Sequence, residues 1–358
     1  MNQTALAARM HDQRPVLISL AAVVGALVIG LVLVAAIGVS IPDAVAGFAE
    51  GAWGSPYALA ASINRSLVFA LVGLGFVLAD RANLTNVGGE GQIAVGAIAA
   101  TAVCLHGGVA GLPAGMSFVL PMLAACVVGG IWGGIVGVLK VKVGTNEVIS
   151  SLMLSFIGVW LLYGSVQSEA LLRQPMTSSS TLPESLEIPD PTKLLLLTGD
   201  AGMPLHIGLP IALVLAVLVA VVLHRTVFGL RLRAVGLNAL AARKAGIAIA
   251  PSVIGVFFAA GALGGLAGSM MLQGEQYSLK AGFSSGYGFD GLVVGLLARG
   301  SVVGVLAGAV LFGFIRSGGI NMEMVANVPS SLVLVIQGII IVALAGSARW
   351  MTRKAGTR

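Results

Sequence analysis

The chain has 358 residues, of which 57% are hydrophobic and only 9% are charged, and its mean hydropathy is +1.01. A soluble domain carries roughly 25% charged residues, so this composition excludes an ordinary soluble protein. The formal charge of +6 does not indicate nucleic-acid binding, because basic residues of membrane proteins collect on the cytoplasmic side. The apolar runs are long and continuous, unlike those of a transmembrane barrel. We therefore predict an all-α polytopic membrane protein.

Apolar runs near the length of a membrane span, about 20 residues, recur along the whole chain. They cover 16–39, 58–79, 91–110, 114–139, 148–166, 205–223, 248–273, 290–298, 302–316 and 328–346. The run 290–298 is too short to cross alone, so we interpret it as a half-helix that Ala298–Ser301 separates from the next run. The sequence thus predicts one transmembrane domain over 1–358, with about eight to ten helices including this broken or re-entrant pair.

The distribution of basic residues predicts the orientation of these helices. Most Lys and Arg residues share one side of the membrane if both termini are cytoplasmic. This places the N-terminus, 1–15, the basic loop 224–247 and the tail 347–358 in the cytoplasm, and the acidic, proline-containing segment 167–204 outside. An even number of crossings is required, which supports counting the broken segment twice.

Glycines recur at four-residue spacing in two of the predicted spans. Small residues at this spacing allow helix backbones to approach closely in lipid. The glycines concerned are Gly129, Gly133 and Gly137, Gly261 and Gly265, and Gly264 and Gly268. They predict a tightly packed bundle and identify no substrate.

Three segments place polar residues where a plain helix bundle would not. They are "NVGGEGQIAVGA" with Asn86, Glu90 and Gln92, "GTNEVISSLML" with Asn146 and Glu147, and "GYGFDGLVVGLLARG" with Asp290. An ionisable residue at membrane depth is costly and normally faces a cavity or a partner. Glycine-interrupted segments in opposite halves of a chain indicate a transporter's substrate path. Glu90 and Asp290 are equally compatible with capping of helix starts, and the two roles do not exclude each other.

The basic loop 224–247 contains a predicted short helix. Asn238 could serve as its N-cap, the alanines that follow favour a helix, and Gly246 is a C-terminal stop. An exposed, alanine-rich helix between two spans is suited to docking into the groove of a cytoplasmic partner. The alternative is a solvated basic loop that touches lipid headgroups.

Taken together and in order, these motifs resemble the permease subunits of bacterial ABC importers for nucleosides and simple sugars, a group related to the branched-chain amino acid and ribose permeases. "NVGGEGQ", "GTNEVISSLML", "RAVGLNALAARKAGI" and "GYGFDGLVVGLL" carry the resemblance, which runs from about Pro56 to Ser347. It implies a substrate pathway at Asn86, Glu90, Gln92, Asn146, Glu147, Phe289 and Asp290. It also implies an ATPase-coupling region at Arg233, Gly236, Asn238, Ala241, Ala242, Ala245 and Gly246.

The resemblance further implies the setting in which the chain works. It implies a multi-pass protein of the bacterial inner membrane that pairs with a second, homologous permease subunit; in this family the pair is often a heterodimer, and the sequence leaves a homodimer open. It also implies a cytoplasmic ABC ATPase and an extracytoplasmic substrate-binding protein. Two positions and one stretch depart from the family pattern: Ala239 stands in place of a proline, Ser155 in place of an asparagine, and "ARGSVVG" in place of a stretch with a proline.

The chain lacks a G-x-x-x-x-G-K-[ST] phosphate-binding loop, so we expect no enzymatic activity, no bound cofactor, and ATP hydrolysis by a partner. The alternative from a different class is an ion-coupled secondary transporter or channel that uses Glu90 and Asp290. A membrane enzyme is disfavoured because the four histidines are scattered and have no metal-binding spacing.

The sequence leaves the substrate open between a nucleoside, which the resemblance favours, and a simple sugar. Trp160, Tyr163, Tyr287 and Phe289 could stack on a nucleobase. Aromatic residues near span ends also serve as interfacial anchors.

Overall fold

The computed structural model describes residues 24–26, 28–113, 115–176, 182–329, 331–339 and 342–343. Over these residues the regular structure is helical, and extended pairing is limited to isolated bridges. The principal helices are α1 (Ile41–Trp53), α2 (Pro56–Asp80), α3 (Gly89–His106), α4 (Met116–Val143), α5 (Glu147–Ser165), α6 (Gly208–Arg225), α7 (Val227–Leu237), α8 (Ala239–Lys244), α9 (Ile249–Met271), α10 (Tyr287–Ala298) and α11 (Val302–Ala326). A π turn, Leu272–Gln276, extends α9.

Six of the described helices are long and apolar enough to cross a membrane: α2, α4, α5, α6, α9 with its π turn, and α11. The prediction of an all-α polytopic membrane protein is confirmed. Helix α3 has 18 residues but carries Glu90 and Gln92 in its first turn, and it is not among the six. Helix α1 was not predicted. The predicted spans 16–39 and 328–346 are described only in part, and the termini 1–15 and 347–358 lie outside the described residues.

The predicted half-helix is present as α10, which has 12 residues. It begins three residues earlier than expected and ends, as expected, at Ala298. The backbone turns out of the helix at Arg299 and Gly300, whose φ angles of 50° and 78° are left-handed. A left-handed pair cannot continue an α-helix, so the chain restarts at Val302.

The chain divides into two compact units, one made of Met1–Leu59 and Ile315–Arg358 and the other of Ala60–Phe314. The described part of the first unit has an apolar core of Val34, Ala44, Met322, Val328 and Val333. All residues of the predicted pathway and coupling region belong to the second unit.

Helices α4 and α9 pack with their backbones in direct contact. A Cβ atom on Gly129 would lie 2.5 Å from the carbonyl oxygen of Gly261 and 2.7 Å from the Cα atom of Gly265, closer than real Cβ atoms approach. Helix α3 joins at the same level, because a Cβ atom on Gly96 would overlap the backbone of Gly265. The close packing predicted from the glycine spacing is confirmed, and three helices share it.

Residues 188–194, in the long segment between α5 and α6, are hydrogen-bonded to the end of α9. The amides of Leu194 and Ile188 donate to the carbonyls of Gln273 and Tyr277, each at 2.9 Å. The buried side chain of Gln273 also donates to the carbonyl of Thr192 at 2.7 Å. These bonds hold the loop against the π turn.

The glycine packing gives a prediction with a control in the same helix. Gly129→Ala should lower the thermal unfolding temperature in detergent, because the added methyl group forces α4 and α9 apart at a cost of about 1–3 kcal/mol. Gly134→Ala should leave it unchanged or raise it, because the nearest atom to that Cβ is 3.8 Å away and alanine is the better helix former. Equal unfolding temperatures would contradict this account of the packing.

Candidate functional site

The turn before α3 is closed by two amide side chains. The side chains of Asn86 and Gln92 exchange hydrogen bonds, Nδ2 to Oε1 and Nε2 to Oδ1, each at 3.3 Å. The Oδ1 atom of Asn86 also accepts from the amide of Gly88 at 2.9 Å, which is the local turn typical of asparagine. Both side chains are buried. Their polar groups are thus bonded within the turn in this structure.

Glu90 connects this turn to the start of the half-helix. Its carboxylate accepts from the amide of Gly286 at 2.9 Å and from the amide of Gly288 at 2.7 Å, although these residues lie 196 and 198 positions further along the chain. Amides at a helix N-terminus lack partners within the helix, and a negative charge there is favoured by the helix dipole. Glu90 therefore caps α10, a helix from the opposite half of the chain.

Glycines allow the two broken segments to cross. A Cβ atom on Gly288 would overlap the backbone of Glu90. Along α10, Cβ atoms on Gly291 and Gly295 would lie 2.6 Å from the Cβ atoms of Val72 and Phe76 on α2. Any side chain at these positions would push α10 away from both α2 and α3.

Helix α5 supports the same turn from the other side. The hydroxyl of Ser155 donates to the carbonyl of Val87 at 3.0 Å, and the amide of Val87 donates to the hydroxyl of Ser151 at 3.1 Å. A Cβ atom on Gly91 would lie 2.7 Å from the Cα atom of Ser155. Ser155 stands where the family commonly has asparagine, and its short hydroxyl side chain fits here. It reaches the carbonyl of Val87 where the backbones of α3 and α5 are close together.

The remaining predicted pathway residues occupy helix starts. Asn146 is exposed and caps α5 by accepting from the amides of Val148 and Ile149 at 2.9 and 3.3 Å. Glu147 pairs with Lys140 of α4 at 2.5 Å. Phe289 and Asp290 lie half-buried in the first turn of α10.

The aromatic residues considered for stacking fall into two groups. Tyr287 is buried and stacks on Phe69 of α2, with ring centroids 4.9 Å apart and an interplanar angle of 7°. Trp160 is 70% exposed and lies 5.4 Å from the ring of Tyr163. The face of Tyr287 that meets Phe69 is therefore already occupied within the protein.

The predicted short helix of the basic loop is present as α8. Asn238 caps it by accepting from the amide of Ala241 at 3.0 Å, and Gly246 follows it with a φ of 80°. The helix forms with Ala239 at its first position, so the departure from proline does not prevent it. Ala242 is buried, whereas Ala241, Ala245 and Arg233 are exposed.

Gly236, which precedes α8, rests on the chain that follows α2. A Cβ atom on Gly236 would lie 2.6 Å from the carbonyl oxygen of Arg81. Beside α8 is a groove of about 710 Å³, lined by Ala239, Leu240 and Arg243 and by residues of α4 and the start of α9. Leu240 is 66% exposed. The loop is thus an ordered platform that presents an apolar side chain.

Sequence reasoning missed a polar group at the end of α9. Arg65, on α2, forms an ion pair with Glu275 of the π turn at 2.7 Å. Beside them along the chain are Asn64, which is buried, and Gln276, which is half-buried. The arginine inside the run 58–79 was a usable signal, because a charge at membrane depth requires a partner.

Among the described residues, no group of three or more His, Cys, Asp or Glu side chains is arranged to hold a metal ion.

Comparison with known proteins gives consistent matches over nearly the whole chain. A family model described as "Branched-chain amino acid transport system / permease component" matches residues 58–345. The chain is 34% identical to the glucose ABC transporter permease protein TsgB13 of Haloferax volcanii, over 93% of this chain and 88% of that protein. It is 31% identical to the guanosine ABC transporter permease protein NupP of Bacillus subtilis, over 92% and 93%. It is 29% identical to the nucleoside ABC transporter permease protein NupB of Lactococcus lactis, over 94% and 92%. No solved structure gives a significant match.

The cap on α10 gives a second prediction. Glu90→Gln should speed hydrogen exchange at 286–290 by at least tenfold, because the new NH₂ group would face a backbone amide that needs an acceptor. Hydrogen bonds to charged groups contribute about 1.5–3 kcal/mol. Glu187→Gln is the control, since the carboxylate of Glu187 is 65% exposed and pairs with Lys193. Unchanged exchange in Glu90→Gln would show that α10 does not depend on this carboxylate.

Proposed function

The chain belongs to the family described as branched-chain amino acid transport system / permease component, and we propose that it is the transmembrane permease subunit of an ATP-driven ABC importer that carries a nucleoside into the cytoplasm. The observation that carries this proposal is the match, across more than nine-tenths of both chains, to a guanosine and a nucleoside ABC permease. The glucose permease match at 34% identity makes a simple sugar the second candidate.

The proposal includes three protein partners. A cytoplasmic ABC ATPase supplies the energy, and this chain binds no cofactor of its own. An extracytoplasmic substrate-binding protein delivers the solute to the bacterial inner membrane. The other permease subunit is a homologue, which is supported by matches to two guanosine permease proteins, NupP and NupQ, from one organism.

We assign the coupling role to α8 and its flanks. Helix α8 is short, capped and exposed, and Leu240 stands beside a groove that a partner surface can fill. Docking of an ATPase there would bury apolar surface. Movement of the nucleotide-binding domains would then reach the spans through the loop, as alternating access requires.

We assign the substrate path to the region of the two broken segments. The polar atoms of Asn86, Glu90 and Gln92 bond to protein groups in this structure. Their proposed contribution is therefore to hold the segments that line the path. Phe289 and Asp290, in the first turn of α10, are the proposed contacts with the solute; Asn146 and Glu147 are proposed to fix the entry of α5.

The coupling assignment predicts a difference between two equally exposed leucines. Leu240→Asp should abolish copurification of the ATPase and reduce ATP-driven uptake at least tenfold, because a charge would be buried in the docked interface. Leu230→Asp is the control, since Leu230 is also 66% exposed but lies on α7, away from the groove. Full uptake by Leu240→Asp would remove α8 from the mechanism.

The transport function is tested by comparing labelled guanosine and glucose in cells with and without the chain. We expect guanosine uptake that fails when ATP is depleted and survives when the proton and sodium gradients are dissipated. Uptake of glucose alone would select the sugar transporter. Uptake that follows only an ion gradient would replace the importer with a secondary transporter.

A further inference from the structure

The ion pair between Arg65 and Glu275 joins the apolar helix α2 to the π turn that extends α9. Arg65 is the tenth residue of α2, which at 1.5 Å per residue places it roughly 13 Å along that helix. The two side chains retain 18% and 26% exposure. Because charges facing hydrocarbon are costly, the accessible side of the pair must face water or a polar group. The pair neutralises its own charge, which favours an uncharged solute.

The π turn that carries Glu275 is firmly held. The buried side chain of Gln273 accepts from the hydroxyl of Ser269 at 2.5 Å and donates to the carbonyls of Phe118 and Thr192 at 3.1 and 2.7 Å. Wide turns of this kind are frequently found at functional sites. The turn places Glu275 and Gln276 in fixed positions next to α2.

Two acceptor oxygens flank the pair along the chain. Within the described residues, Asn64 Oδ1 and Gln276 Oε1 are buried and have no hydrogen-bond partner. The orientation of each amide is fixed, because Asn64 Nδ2 donates to the carbonyl of Pro204 at 2.7 Å and Gln276 Nε2 donates to the carbonyl of Phe283 at 3.0 Å. A buried acceptor without a donor is rare and costly. Hydroxyl groups supply the donors that these oxygens require.

The group also lies beside the proposed path. Arg65 and Phe69 are four residues apart on α2 and therefore share one face. Phe69 stacks on Tyr287, the first residue of the half-helix that Glu90 caps. The polar group is thus one helical turn from the start of α10.

We propose that Asn64, Arg65, Glu275 and Gln276 form a binding subsite for the hydroxyl groups of an uncharged solute, such as the ribose of a nucleoside. The amide oxygens and the Glu275 carboxylate accept from the hydroxyls, and the Arg65 guanidinium donates to a hydroxyl or ring oxygen. This inference rests on the proposed function and specifies the solute class at its path.

The first test uses a charge swap in the complete transporter, reconstituted with its ATPase and binding protein. Arg65→Gln and Glu275→Gln should each reduce guanosine uptake at least tenfold. The double variant Arg65→Glu/Glu275→Arg should recover the wild-type unfolding temperature but not uptake, because donor and acceptor are exchanged relative to Asn64 and Gln276. Glu187→Gln, in the exposed pair with Lys193, should transport normally. Recovery of uptake by the double variant would show that the pair is only structural.

The second test addresses the hydroxyl groups. With the binding protein saturated, the wild type should transport guanosine at least tenfold faster than 2′,3′-dideoxyguanosine, and Asn64→Leu should lose this preference. Equal rates for the two compounds in the wild type would overturn the subsite while leaving the transport function intact. A wild type that carries neither guanosine nor glucose would overturn the proposed function, and the subsite with it.

Discussion

The arrangement of the candidate path depends on one carboxylate. Glu90 accepts two backbone amides from the start of α10, and so joins segments from opposite halves of the chain. A half-helix of 12 residues is too short to cross the membrane. Contacts within the protein must therefore fix its position. Its position is set at one end by this cap and along its length by glycine contacts with α2.

Glycine makes this arrangement possible throughout the second unit. Helices α3, α4 and α9 meet at Gly96, Gly129 and Gly265 with backbone against backbone. Close approach of this kind favours association of helices in lipid, where burial of apolar side chains gives no advantage over contact with lipid chains. The same close approach allows Gly91 of the turn to reach α5, where Ser151 and Ser155 bind Val87. The site is thus built mainly from backbone contacts and short side chains.

The features that the sequence predicted correctly are those with local causes. The cap at Asn238 and the stop at Gly246 could be read from neighbouring residues, and the break after α10 from the length of an apolar run. The partners of Glu90 could not be predicted, because they lie almost 200 positions away and only the tertiary fold selects them. The ion pair of Arg65 and Glu275 was missed for the same reason. Helix α1 was missed because its polar residues interrupt the apolar pattern.

The contact at Gly236 places the loop that carries α8 close to the turn before α3. Gly236 touches the carbonyl of Arg81, and Arg81 is only five positions before Asn86, which closes the turn leading to Glu90. The platform that carries α8 and the anchor of α10 are therefore separated by a single short connector, Ala82–Thr85. In the proposed mechanism, these four residues are the part of the chain through which a movement of α8 reaches the turn that holds the half-helix. Only these four residues could absorb a movement of the platform before it reaches that turn.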